Sequence, residues 1–185
     1  GRAQILTVAT AEFAARGYAA ASMNVIAENA GITKPVIYGH FESKDGLYLE
    51  CVRAVGSRLE ANVESAMLDS GPTAGMALAV IDAIFKALAP DPKAWLLLTD
   101  TTVPDGPLAE AANGHLTHLT RLGRDGTAAV VAAAGGDDAD DLALAARVWV
   151  STVSAVVHWW IEHPQWTADE MTARCRRLLG AVPAG

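Results

Sequence analysis

Cysteine is scarce in this chain. Cys51 and Cys175 are the only two in 185 residues, and they lie far apart in apolar surroundings. A disulfide framework is denser than this, so both read as buried thiols of a protein in the reducing cytoplasm. Long apolar runs are missing as well. A membrane span needs roughly 18 uninterrupted apolar residues, and the nearest approach, Leu142 to Ile161, is interrupted by Arg147, Ser151, Thr152, Ser154 and His158. No membrane association is expected. The first segment carries Gln4, Thr7 and Glu12 where a signal peptide has its apolar region, so no secretion signal is expected there.

Signatures of catalysis are equally thin. There is no Walker-type phosphate loop and no Gly-x-Ser-x-Gly elbow. The Glu-x-x-His step of di-metal bundles is absent: Glu110 is followed at that step by Asn113, Glu162 by Gln165 and Glu170 by Ala173. His115 and His118 stand three apart without a third or fourth ligand at helical spacing, a poor metal pair. No metal, no other cofactor and no catalysed reaction are expected. Excess positive charge is also lacking. Residues 1–60 hold six Lys/Arg and six Asp/Glu, and the rest hold eight and fifteen, so the net charge of −7 belongs to the C-terminal part. A neutral N-terminal part leaves a weak electrostatic footprint for nucleic acid, which a basic arm ahead of Gly1 would strengthen.

What the chain has is helical periodicity. Hydrophobic residues make up 51% of it, enough for a substantial core. Ile5, Ala9 and Phe13 recur every four residues on one helical face, and Gly17 is placed to end that helix with Tyr18 packing back. Ser22 reads as the N-cap of a second helix with Ile26, Ala27 and Ala30 inward. Gly31 supplies a tight turn, Thr33 caps a third helix, and Pro35 falls in its first turn, where a missing N–H is harmless. Ser43 starts a long fourth helix, about Lys44 to Leu68, with Leu47, Cys51, Val55, Leu59 and Val63 at steps of four.

Gly71-Pro72 breaks the pattern. A fifth helix is expected from about Thr73 to Leu88, a short sixth over about Lys93 to Thr101, and a seventh over about Leu108 to Ala134 with weak points at Gly114, Gly123 and Gly126. An eighth carries Leu142, Ala146, Trp149, Val153, Val156 and Trp160 and is stopped by Pro164. Thr167 and Glu170 form a capping box for a ninth, which presents Met171, Cys175, Leu178 and Val182 on one side. The fold class is all-α with about nine helices.

Residues 22–41 stand apart within this pattern. Two short helices flank a glycine turn, and the second has few apolar groups to hide. That is the build of a helix-turn-helix, whose second helix enters the DNA major groove. The pattern Ile26-Ala27-x-x-Ala30-Gly31-Ile32-Thr33, then Ile37-Tyr38-x-His40-Phe41-x-Ser43-Lys44-x-x-Leu47, preceded by Phe13-x-x-x-Gly17-Tyr18, resembles the signature of TetR/AcrR-type transcriptional regulators. The resemblance is close over about residues 2–50. It implies a helix-turn-helix DNA-binding domain over 1–45, a helical effector-binding and dimerisation domain over 46–185, and a homodimer. By position, Thr33, Lys34, Pro35 and Tyr38 are the implied recognition-helix contacts, and Ser22, His40 and Lys44 the implied phosphate-facing groups. The chemistry agrees: helix N-termini bind phosphate, and a lysine reaches a phosphate or a guanine edge. Gly39 departs from the bulkier residue of many members. Ile37 and Phe41 read as core, and His40 is open to a packing role too.

For the effector half, Trp95, Thr99, His115, His118, Trp149, His158 and Trp159 lie on helices that the family wraps around a small-molecule pocket, and such pockets are mostly apolar with a few placed polar groups. At least one of the two histidines His115 and His118 reads as polar surface instead of pocket. The last two long helices are implied to form a four-helix bundle with a second subunit through Leu142, Val153, Val156, Trp160, Met171, Cys175 and Leu178; the competing assignment is plain core. The expected partners are double-stranded DNA at a palindromic operator, a small apolar or amphipathic effector, and a second copy of the chain. The expected function is a ligand-released repressor. The competing functions are an all-helical enzyme or carrier with a bundle active site, and a DNA-binding protein without ligand response.

Overall fold

The computed structural model describes residues 1–181, and all regular structure among them is helical. Eight α-helices and one 3-10 helix are present among the described residues: α1 Arg2–Ala20, α2 Met23–Ala30, α3 Lys34–Phe41, α4 Lys44–Ser70, α5 Met76–Leu88, η1 Pro92–Thr99, α6 Pro107–Ala133, α7 Ala139–Glu162 and α8 Ala168–Ala181. Val182 lies outside the described residues. The chain divides into two units, the first made of Gly1–Ser57 and Lys93–Thr117, the second of Arg58–Pro92 and the described residues from His118 on.

In the first unit the N-terminal helices stop and start where local chemistry dictates. Gly17 takes φ 79° and ψ 164°, which breaks α1. One further turn follows before Ala21, so the helix is kinked at the expected glycine and does not end there. The Ser22 hydroxyl accepts from the Val25 N–H at 3.3 Å and caps α2. Gly31, at φ 67°, closes α2 in the left-handed conformation while the Ile32 N–H donates back to the Ala27 carbonyl at 3.0 Å. Ser43 caps α4 through the Gly46 N–H at 2.9 Å.

Ile5, Ala9 and Phe13 are buried with Ile26, Ile37, Phe41 and Leu47. Phe13 meets Tyr48 edge-on at 5.1 Å, and Tyr48 meets Tyr18 at the same separation. The Tyr48 hydroxyl donates to the Leu97 carbonyl at 2.8 Å, and burial pushes its pKa up. Cys51 is buried, as read from the sequence, and burial pushes its thiol up to about 12.

In the second unit α5 packs on α8. Phe85 meets Trp160 edge-on at 5.2 Å, and the indole N–H of Trp160 donates to the Trp166 carbonyl at 2.7 Å. The Thr172 hydroxyl donates to Asp82 at 2.8 Å, and Lys86 pairs with the same carboxylate at 2.7 Å. The capping box of α8 closes reciprocally: the Thr167 N–H donates to Glu170 at 2.9 Å, and the Glu170 N–H donates to the Thr167 hydroxyl at 3.2 Å. Asp138 caps α7 through the N–H groups of Asp140 and Asp141.

Three further expectations differ from the outcome. The fifth helix starts at Met76 rather than about Thr73, because Thr73 spends its hydroxyl and carbonyl closing a turn on Gly75 and Met76. The short sixth element is a 3-10 helix, ending at Thr99. The seventh runs unbroken across its glycines. An added Cβ at Gly123 would lie 3.0 Å from the Trp149 ring, and one at Gly126 3.0 Å from the Met67 methyl. These two glycines mark close packing and not breaks.

Candidate nucleic-acid interface

Only Ile37 and Phe41 of α3 are buried. They fix the helix against its own unit and turn the remaining positions outward. Thr33, Lys34, Pro35 and Tyr38 are all exposed, so the four implied recognition contacts lie on a helix surface open to solvent. The Thr33 side chain makes no capping hydrogen bond, which leaves its hydroxyl available at the helix N-terminus. Val36 joins this surface at 43% exposure. Sequence periodicity missed it, although an apolar residue with no inward partner at helical spacing was the available signal; its methyls suit a thymine methyl. A Cβ at Gly39 would meet nothing within 4 Å.

The implied phosphate-facing groups are placed differently. Ser22 is half-buried, and its hydroxyl oxygen is engaged as the α2 cap. His40 is exposed, with its ring tilted against Phe41 and its carbonyl accepting from Arg2 at 3.0 Å. Lys44 turns onto its own chain: its ammonium donates to the Ala19 carbonyl at 3.3 Å and lies 5.0 Å from the Tyr18 ring centre. The Tyr18 hydroxyl donates to Asp45, and its pKa is pushed up to about 12 by burial first and then by that carboxylate. Arg2 is likewise held by Phe41, at 4.4 Å, and by Glu50, at 3.4 Å.

The implied effector residues divide between the units. Trp95, Thr99 and His115 belong to the first; His118, Trp149, His158 and Trp159 belong to the second. Trp95 is buried, and its indole N–H has no hydrogen-bond partner. Thr99 is exposed. His115 is half-buried over Gly56, where an added Cβ would come within 2.4 Å of the imidazole. His118 pairs with Glu64 at 3.0 Å, and Trp149 covers Gly123. His158 and Trp159 are exposed: the His158 ring bonds the Ser154 carbonyl one turn back, and Trp159 stacks on His163 at 3.9 Å. The Arg174 guanidinium lies 3.7 Å from the Trp166 ring and 5.8 Å from that of Trp159.

The implied interface residues separate into two kinds. Val153, Trp160, Met171 and Cys175 are buried within the single chain. Leu142 and Val156 are half-buried, and Leu178 is 69% exposed. Beside them Leu144 and Val148 are exposed at 62% and 57%. α7 is also the one helix among the described residues that is long and apolar enough to cross a membrane, and little of its apolar stretch is buried.

The family model described as "Bacterial regulatory proteins, tetR family" matches residues 5–51, and "Tetracyclin repressor-like, C-terminal domain" matches residues 72–181. The transcriptional activator FasR of Mycolicibacterium smegmatis is 33% identical over 110 residues, which are 60% of this chain and 50% of that protein; the matched region therefore spans half the length of this relative. The structure of the ketosteroid transcriptional regulator KstR2 of Mycobacterium tuberculosis superposes with a TM-score of 0.79 at 23% identity, over 100% of this chain and 95% of that one. FadR of Bacillus subtilis, solved in complex with stearoyl-CoA, superposes with a TM-score of 0.69 at 18% identity over the whole of both chains. Both structural likenesses concern the fold. The motif of residues 13–47, the all-helical architecture and the two family models agree: the chain belongs to the TetR family of bacterial transcriptional regulators.

Proposed function

We propose that the chain is a homodimeric, ligand-responsive regulator that binds a palindromic operator through α3. The observation that carries this is the outward face of α3, where Thr33, Lys34, Pro35, Val36 and Tyr38 stand free while Ile37 and Phe41 anchor the helix. Two such helices in a two-fold dimer address successive major-groove faces, about 34–36 Å apart or a multiple of it. The exposed apolar side of α7, with Leu144, Val148 and Trp159, supports pairing with the same helix of a second copy. Leu178 and Leu179 of α8 extend the apolar surface available for that contact.

The effector is a small apolar or amphipathic molecule. Related regulators named for ketosteroids or solved with stearoyl-CoA support that class. The unpartnered indole N–H of Trp95 supports an effector that carries a hydrogen-bond acceptor. Effector binding favours a domain arrangement that fits the operator less well, and DNA affinity falls because the bound geometry has to be selected from the ensemble. The resulting role is repression relieved by effector, in the cytoplasm. FasR is named an activator, which favours a second reading in which the same DNA-bound dimer recruits transcription.

Selection of genomic fragments on the purified protein identifies the operator. Stearoyl-CoA and a ketosteroid are then added as probes. The expected result is a higher melting temperature together with release of the fragment. Stabilisation without release argues against the switch. A reporter placed behind the fragment separates repression from activation by the sign of its response to loss of the protein.

A further inference from the structure

The break in α1 is capped from far along the chain. At Gly17 the extended ψ of 164° turns the backbone out of the helix, and the Gly17 carbonyl accepts from the Ala21 N–H at 3.1 Å to open a new turn. The first N–H groups of any such turn lack partners within it. Here they belong to Tyr18 and Ala19. The Tyr18 N–H donates to Asp100 Oδ2 at 2.6 Å, and the Ala19 N–H donates to Thr102 Oγ1 at 3.2 Å, across 82 and 83 residues of sequence. The cap is itself organised. Asp100 Oδ1 accepts from the Thr102 N–H at 2.8 Å and from the Thr102 hydroxyl at 2.6 Å, which points the free lone pairs of that hydroxyl at Ala19. Gly17 is needed twice: its φ of 79° is costly for other residues, and an added Cβ would press on Thr102 Oγ1 at 3.3 Å.

The same elbow is held on its other sides from within the N-terminal segment. Buried Glu12 accepts from the Ser22 N–H at 3.2 Å, and Lys44 donates to the Ala19 carbonyl. Beyond the elbow α1 packs on α2, and α2 on α3. Asp100 and Thr102 fall within the region matched by the C-terminal family model, yet they fold with the N-terminal unit.

We propose that Asp100 and Thr102 are positioning residues for DNA binding: by capping the turn after Gly17 they fix the elbow from which α2 and α3 hang. This rests on the reading of α3 as the DNA-contacting helix. An uncapped turn frays, α3 samples more orientations, and the fraction poised for a specific site falls. Contacts with phosphates in general depend less on that orientation.

Two duplexes test it: the genomic fragment recovered by the wild-type protein and a scrambled duplex of equal length. Asp100→Ala is expected to bind the fragment roughly five- to tenfold more weakly, with affinity for the scrambled duplex and its salt slope unchanged. Asp100→Asn keeps one of the two acceptor oxygens, enough for Tyr18 or for Thr102 but not both, and is expected to recover only part of the loss. Thr102→Val, which removes the acceptor for Ala19 together with the hydroxyl's own bond to Asp100, is expected to lose about threefold; it carries the test if Asp100→Ala does not fold. Amide hydrogen exchange at Tyr18 and Ala19 is expected to quicken in each weakened variant. Unchanged fragment affinity, or equal losses on both duplexes, overturns the proposal. A wild-type protein that binds neither duplex removes the DNA-binding reading first, and this one with it.

Discussion

α3 and α7 both leave most of their side chains uncovered, and they differ in what they uncover. α3 buries two of eight residues, Ile37 and Phe41, and offers Lys34, Pro35, Val36, Tyr38, Gly39 and His40. α7 buries Ala146, Val153, Val157 and Trp160, and offers Leu144, Val148, Val150 and Trp159. A solvated helix with a cation at its start, the Thr33 hydroxyl at its cap and the Tyr38 hydroxyl further along is stable in water and has groups to exchange with phosphates and base edges. A helix that exposes leucine and valine on successive turns keeps apolar area in water, which a second apolar surface relieves at about 25 cal/mol per Å² buried. The contrast lies in which partner each surface would favour, and each half of it is open to a separate experiment.

The largest effect is expected on the buried side of α7. Trp160 packs edge-on against Phe85 and its indole N–H is satisfied by Trp166. Trp160→Ala should lower unfolding free energy by about 3–5 kcal/mol, read from urea denaturation. The residue was expected at a subunit contact; its own chain already covers it, so the loss belongs to folding. A loss below about 1 kcal/mol would mean that this core is not organised around the indole.

On the uncovered side of the same helix, Leu144→Asp with Val148→Asp should leave the circular dichroism spectrum intact and turn dimers into monomers in light scattering. Two charges in an apolar contact should weaken it by roughly 100-fold or more. A dimer that persists would move the interface off this face.

On α3 the expected changes are smaller. Lys34→Ala should weaken binding to operator and random duplex alike and reduce the slope of log affinity against log salt by about one. An unchanged slope would take Lys34 off the phosphates. Gly39→Ala is the mildest. Its Cβ would meet nothing, and alanine in a helix interior is better than glycine by about 0.5–1 kcal/mol, so the melting temperature should rise slightly. A fall in melting temperature would show that the backbone there is not simply helical in solution.

Much of the N-terminal unit was legible because its signals are local. Ser22, Gly31 and Ser43 act within three or four residues of themselves, so capping rules read from the sequence find them. The every-fourth spacing of Ile5, Ala9 and Phe13, and of Leu47, Cys51, Val55 and Leu59, marks buried faces directly, and all seven are buried. The effector half was less legible for a matching reason. Its apolar residues are so many that periodicity cannot rank them, and Trp159 and Trp160, adjacent in sequence, end on opposite sides of burial. The glycines of α6 misled in the same way: a residue that often breaks a helix was kept here to let Trp149 and Met67 approach.

The sequence by itself determined the helix-turn-helix, the order of the helices and the family, because each depends on spacing within a turn or two. Only the tertiary structure decided that Lys44 faces its own chain, that Trp160 belongs to the core while Leu144 and Val148 do not, and that Asp100 and Thr102 cap a break more than eighty residues earlier. Those outcomes depend on which distant groups arrive to satisfy a backbone N–H or cover an apolar face, and nothing in the local pattern of the chain specifies which groups those are.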